Sequence, residues 1–507
     1  MKSCSIIVQL FAFTLILPFG GQLCFAQQDG DPISVGTYRV LHSNILNEER
    51  LLFIHLPENY EQTQIRYPVL YLFYVDIYNY FTEAASIAER LGGTGEMPPL
   101  IIVGVANTNR YRDLLPAKSR RIAESGGAEN FLRFFEEELI PHIDKTYRTK
   151  NFRIVAGPQA AAVFTLYALI TRPNLFQATI SENPFMNPDN AEYLFPLAER
   201  FFAETASLKH FLYIKCEKNE SPQDLEYARR FAELLETKKP AGFRTKVEFR
   251  EPSGYFITPV PFSEALRSLF ASYKLPADFQ TTSLQDILDY YKKCSEEYGF
   301  EVNPPDLMLT FEGDKLRRQG NAREAIKIFQ YQLTMNPKSL NALFQLGEAY
   351  RGVGEFAEAK KYYKAFLDIR TRDADFIQRR LREMQRMIDS SAAYRVEQEV
   401  RQNGIQAGLK TFRSIRSDSR TRYYFDEGEF NALGYRLMGG GRMEDALEIF
   451  KLNVQLYPGS ANVYDSLGEA YLKSGDTRKA IENYTKSLEL NPESSNAREM
   501  LKKLEQK

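Results

Sequence analysis

A chain of 507 residues with 65 Lys and Arg against 66 Asp and Glu carries a net charge of −1, which gives no reason to expect nucleic acid or an anionic membrane as partner. The length exceeds one ordinary hydrophobic core, so two or three domains are expected. Thirty Tyr and thirty-six Phe supply large apolar surfaces, while four cysteines are too few for a disulfide scaffold.

Residues 1–26 read as a secretory signal. Lys2 gives a positive start, residues 6–18 are mostly apolar, and Cys24-Phe25-Ala26 forms a small-x-small cleavage site. No later segment is apolar for long enough to cross a bilayer, so the expected mature chain, from residue 27, is exported (periplasmic or secreted) without a transmembrane span. An uncleaved anchor is the alternative. Cys4 and Cys24 leave with the signal, and Cys216 and Cys294 remain, either bridged or as two buried thiols.

Residues 27–275 alternate strand-like with helix-like segments. Residues 51–56, 69–73, 100–105, 152–156, 176–180 and 211–215 are rich in strand formers, several of them nearly continuous apolar runs expected of strands covered on both faces. Between them, Phe131, Leu132, Phe135 and Leu139 recur at helical spacing. This alternation predicts an α/β domain with a mostly parallel sheet and helices on both sides.

Residues 153–162 combine an apolar strand, a tight turn and a helix that starts at small residues. That is the shape of the G-x-S-x-G nucleophile elbow, whose bend lifts a serine hydroxyl above the sheet. Here Gly157 supplies the first glycine, Gln159 stands in the serine position, and Ala161 stands in that of the second glycine. A carboxamide is not a usable nucleophile for acyl transfer.

The segments Tyr67-Pro-Val-Leu-Tyr-Leu, 102–116, 125–132, 138–148 and 164–169 together resemble the esterase family of α/β-hydrolases that includes enterochelin-esterase and esterase-D types. The resemblance implies an exported ester hydrolase using a serine, a histidine and an acid. Its histidine region falls on the stretch holding Gly254 and Tyr255, which has no histidine; His42, His55, His142 and His210 all precede it. Glu217, Glu220 and Asp224 are the candidate acids, and Tyr74-Val75 replaces an Asp-Gly pair that the family carries beside the pocket. These departures point to a catalytically degenerate pseudo-esterase acting in ligand or protein binding. The alternative is an active ester hydrolase with a relocated nucleophile or base, for which Ser125, Ser181, Ser253 and Tyr255 are available. A small ester, a sugar or a siderophore-like molecule is the expected ligand class. No cofactor is expected, and four scattered histidines without i, i+4 pairing suggest no metal site.

Leu284, Ile287, Leu288 and Tyr291 mark an amphipathic helix within a connector at 276–305. A period of 34 residues then emerges, from Gly313 to Gly347 and from Gly434 to Gly468. Gly320, Gly354, Gly441 and Gly475 hold a second phase, where a left-handed residue would close the first helix of each pair. Leu346-Gly347…Tyr350…Ala359…Tyr363 returns as Leu467-Gly468…Tyr471…Ala480…Tyr484, a pattern that resembles tetratricopeptide repeats. Four copies are expected, two in 306–371 and two in 426–507, giving an all-α solenoid with a peptide or protein partner. Residues 372–425 keep no such phase and read as an irregular helical insert, with the arginine-rich run 413–422 as a solvated connector or, alternatively, a basic binding patch.

Overall fold

The computed structural model describes residues 34–505 apart from 59, 77–78, 219, 252–258, 371–373, 419 and 421–422. Residues 1–26, read above as a signal, lie outside the described residues. The chain divides into two compact units near residue 311.

The first unit is built on one eight-stranded sheet. Its strands are β1 (Thr37–Ser43), β2 (Glu48–His55), β3 (Tyr67–Leu72), β4 (Ile101–Val105), β5 (Thr149–Pro158), β6 (Ala178–Glu182), β7 (Ser207–Glu217) and β8 (Ala241–Arg250). The spatial order is β1-β2-β4-β3-β5-β6-β7-β8. The first two pairings, β1 with β2 and β2 with β4, are antiparallel, and every pairing from β4 to β8 is parallel. The six apolar runs become β2 to β7, and β3, β4 and β6 are buried at every position. The edge strands β1 and β8 lack such runs, because an edge strand needs little apolar surface.

Helices α1 (Tyr80–Gly93), α2 (Arg110–Leu114), α3 (Ala128–Phe134), α4 (Ile140–Thr146), α5 (Ala160–Thr171), α6 (Pro188–Glu204) and α7 (Pro222–Lys238) lie between the strands, and α8 (Pro259–Leu269) follows β8. Beneath α5, Phe164 sits 5.4 Å from Phe73 and 5.3 Å from Phe131, ring centre to ring centre, so sheet, α3 and α5 share one aromatic core. The connector helix α9 (Leu284–Tyr298) packs on this unit: Tyr291 donates to the Tyr273 carbonyl at 2.9 Å, and Glu297 pairs with Arg244 at 3.1 Å. Cys216 and Cys294 are separate buried thiols.

The second unit is helical: α10 (Asp306–Arg318), α11 (Ala322–Met335), α12 (Leu340–Gly352), α13 (Phe356–Ile369), α14 (Ala374–Ser390), α15 (Ala392–Asn403), α16 (Ile405–Ser417), α17 (Glu427–Gly439), α18 (Met443–Leu456), α19 (Ala461–Lys473), α20 (Thr477–Leu490) and α21 (Ser495–Glu505). In each of the four repeats a glycine on the first helix faces an aromatic ring on the second. A Cβ at Gly313, Gly347 or Gly434 would come within 2.4, 2.4 and 2.6 Å of the Phe329, Tyr363 and Phe450 rings, and at Gly468 within 3.1 Å of Tyr484. The turn glycines Gly320, Gly354, Gly441 and Gly475 have φ of 88°, 73°, 77° and 88°, the left-handed backbone their phase predicts.

The aperiodic segment differs from its expected form. It holds three regular helices, and α15 and α16 pair as a further hairpin whose first helix touches α17. Arg413 and Arg416, expected on a solvated connector, lie on α16.

Candidate functional site

The strand-end turn after β5 is held from three sides. Gln159 adopts φ 52° and ψ −114°, a conformation L-residues rarely take, and α5 begins at the next residue. Its amide donates to the Glu182 carbonyl at the end of β6, at 2.8 Å. Its own carbonyl accepts from Phe185 at 3.2 Å and from Val163 at 3.3 Å. A side chain on Gly157 would bring its Cβ 2.5 Å from that of Ala161 and 3.1 Å from the Phe73 ring, so the strand must carry glycine there. Every residue of α5 from Ala160 to Ile170 is buried, which leaves the helix no room to retreat. The elbow is therefore a strained strand-turn-helix with a glutamine at its apex.

The register of the parallel strands places Pro158 beside Glu182 and Glu182 beside Lys215. Glu182 is buried, and Tyr80 donates to its carboxyl at 3.1 Å. Burial pushes the Glu182 carboxyl up to about 7, against the attraction of Lys215. The Lys215 ammonium meets Glu217 at 2.8 Å, with both side chains almost wholly buried. Asn183, at φ 49°, ties the strand ends together: its amide donates to the Lys215 carbonyl at 2.7 Å and its side-chain oxygen accepts the Glu217 amide at 2.9 Å.

Tyr74 stands on the loop after β3, where a hydrolase draws one oxyanion-hole amide; the other comes from the residue after the nucleophile, here Ala160. Tyr74 is 5 % exposed with φ 60°, and the Arg110 guanidinium lies 5.2 Å from its ring centre. Burial pushes the Tyr74 phenol up, while Arg110 and the Ala160 amide push it down.

Of the candidate acids, Glu217 belongs to this buried cluster. Glu220 is half-buried nearby, its carboxyl pushed up by burial and by the Asp224 charge. Asp224 is committed to the start of α7: its amide donates to Ser221 Oγ at 3.1 Å, and that hydroxyl donates back to its carboxylate at 2.6 Å. Gly254, Tyr255 and Ser253 lie outside the described residues. Ser125 is held in a turn by the Ile122 carbonyl and the Ser119 amide, and Ser181 lies buried beneath α5, donating to the Ala162 carbonyl at 3.1 Å.

Three of the four histidines have other partners. His42 pairs with Glu49 at 3.0 Å and His55 with Glu89 at 2.9 Å, while buried His210, its pKa pushed down to about 3 by burial, meets Thr179 at 3.0 Å. His142 is exposed on α4. Among the described residues, no three or more His, Cys, Asp or Glu side chains gather as metal ligands. Glu182, Lys215, Tyr80 and Asn183 do not stand out in the sequence; the available signal was a charge after each of two apolar runs, Ala178-Thr-Ile-Ser-Glu182 and Phe211-Leu-Tyr-Ile-Lys215.

Residues 43–222 match the family described as "Putative esterase", and residues 316–376 and 461–494 match tetratricopeptide repeats. The first part of the chain is thus similar to the putative-esterase family, and the second part carries tetratricopeptide-repeat matches. That first domain is similar to the ferri-bacillibactin esterase of Bacillus subtilis, 28 % identical over 254 residues, which cover 45 % of this chain and 87 % of the relative. An uncharacterized B. subtilis protein is 28 % identical over 154 residues, 29 % of this chain and 60 % of its own. Among solved structures, an IroE-like serine hydrolase from Shewanella oneidensis superposes with a TM-score of 0.51 at 27 % identity, covering 59 % of this chain and 99 % of its own.

Proposed function

We propose that this chain is an exported pseudo-esterase, a binding protein that keeps the hydrolase frame and has given up acyl transfer. The observation that carries the reading is Gln159 at the apex of an intact nucleophile elbow. The esterase frame needs a nucleophile there, and a neutral carboxamide attacks no ester. Tyr74 supports the reading as well, since a buried aromatic residue with φ 60° stands on the loop after β3, from which hydrolases draw an oxyanion-hole amide. The name of the B. subtilis relative supports a siderophore ester or similar small ester as ligand, with the repeats engaging a peptide or protein.

The test is turnover of short- and medium-chain nitrophenyl esters by residues 27–507, with a fluorophosphonate label alongside and Gln159→Ala as control. The expected result is no turnover above buffer, no label, and a rise in melting temperature on titration with ferri-bacillibactin. Turnover with one label per chain would sink the proposal, and mapping the labelled residue would locate the relocated nucleophile.

A further inference from the structure

The second unit has a cavity of about 350 Å³ between α16 and α18. The first helices of successive hairpins touch, α15 on α17 and α17 on α19, so they form the closely packed row. The second helices, α16 and α18, part between them, and the cavity fills the gap.

Its floor is apolar. Leu409 and Phe412 come from α16 and Leu452 from α18, each less than a tenth exposed. Its rim is cationic: Arg413 and Arg416 stand about one turn apart on α16, facing Lys451 across the gap. Glu448 is the single carboxylate in the lining, and Lys451 already holds it at 2.8 Å.

The two rim arginines differ from their neighbours. Arg395 and Arg401 on α15, Arg436 on α17 and Arg442 before α18 are each held by a carboxylate at 2.5 to 2.8 Å. Neither Arg413 nor Arg416 forms an ion pair with a described residue, although Arg416 lies 5.8 Å from the Phe412 ring centre. A cation in the last helical turn complements the helix dipole, which accounts for Arg416 but not for Arg413 one turn earlier.

We propose that this cavity binds an acidic peptide segment carrying an aromatic or large aliphatic side chain beside its carboxylates. Guanidinium groups pair with carboxylates in a planar, two-pronged geometry, and the apolar side chain would cover the Phe412 floor. A nucleic acid backbone would leave that floor uncovered, and the chain's overall charge of −1 offers it no extended cationic track. A small inorganic anion would leave most of the cavity empty. The proposal does not depend on how Gln159 is read.

The experiment uses residues 27–507 and a fluorescein-labelled Gly-Asp-Glu-Phe-Glu-Asp-Gly amide, followed by fluorescence polarisation. Matched probes replace every acid by its amide, replace Phe by Gly, or substitute a short oligothymidylate. The acidic aromatic peptide is expected to bind, to weaken as salt rises, and to lose about tenfold or more in affinity in R413E/R416E. The amide and glycine probes are expected to bind less well. Both arginines are exposed, so the melting temperature of the variant should match that of the parent, and R413K/R416K should retain part of the affinity. Equal binding by parent and R413E/R416E, or stronger binding of oligothymidylate than of the peptide, would overturn the proposal.

Discussion

The amide of Gln159 donates to the carbonyl of Glu182 at 2.8 Å, so the turn at the head of β5 is fastened to the end of the neighbouring strand. With the bonds that the Gln159 carbonyl accepts from Phe185 and Val163, this bond holds Gln159 at φ 52° and ψ −114°. A backbone held in a sparsely populated region costs about 1–3 kcal/mol in a residue with a Cβ, and glycine relieves much of that. If the strain no longer serves catalysis, Gln159→Gly should stabilise the first unit by roughly 0.5–1 kcal/mol, after glycine's greater unfolded-state entropy is subtracted. Urea unfolding is the measurement. A loss of stability would mean that the carboxamide side chain makes compensating contacts.

Gly157 tests the same elbow from below. A methyl group there would meet the Ala161 methyl at 2.5 Å, and Ala161 belongs to a helix buried along its length. Gly157→Ala should cost about 1–3 kcal/mol through overpacking. Removing the opposing methyl with Ala161→Gly should recover part of the loss, because residues in contact do not contribute additively. A double variant no better than the sum of the single changes would show that the Phe73 ring, at 3.1 Å, is the obstacle instead.

The elbow was legible in the sequence because its signal is local: an apolar strand, a glycine and a run of small residues within ten positions. The Glu182–Lys215–Glu217 cluster was not, since only the β6–β7 register brings its members together. Edge strand β8 escaped for a related reason. Its Lys246, Glu248 and Arg250 satisfy one another in ion pairs at 2.7 Å and alternate with Phe243, Val247 and Phe249, so the strand shows an alternating pattern rather than a continuous apolar run. The α15–α16 hairpin hides its repeat by reversing the small residue, with Gly408 on the second helix packed against Val400 on the first.

The regular repeats allow a graded test. Alanine in place of an interior helical glycine gains about 1 kcal/mol of helix propensity. At Gly347 that gain is opposed by a Cβ 2.4 Å from the buried Tyr363 ring, whereas at Gly468 the nearest atom of Tyr484 is 3.1 Å away. Gly347→Ala should therefore destabilise by about 1–3 kcal/mol, and Gly468→Ala should lie near neutral. Chemical unfolding of the full chain checks the order. An equal loss at both sites would mean that the helix pair near Gly468 has no slack.

Glu182 supplies the pH dependence. Its folded-state value of about 7 stands above the ordinary 4.5, because burial disfavours the carboxylate more than Lys215 favours it. The folded protein therefore binds this proton more tightly than the unfolded chain does. The resulting stability is complete below the unfolded value and is lost as pH rises through about 7. Glutamine cannot ionise and still offers Tyr80 an acceptor. Glu182→Gln should thus match the parent at the acid end and exceed it at pH above the folded value, by up to a few kcal/mol on the scale of about 1.4 per pKa unit. Urea midpoints for both proteins across that range provide the check. A difference that does not change with pH would mean that Lys215 keeps the buried carboxylate charged throughout.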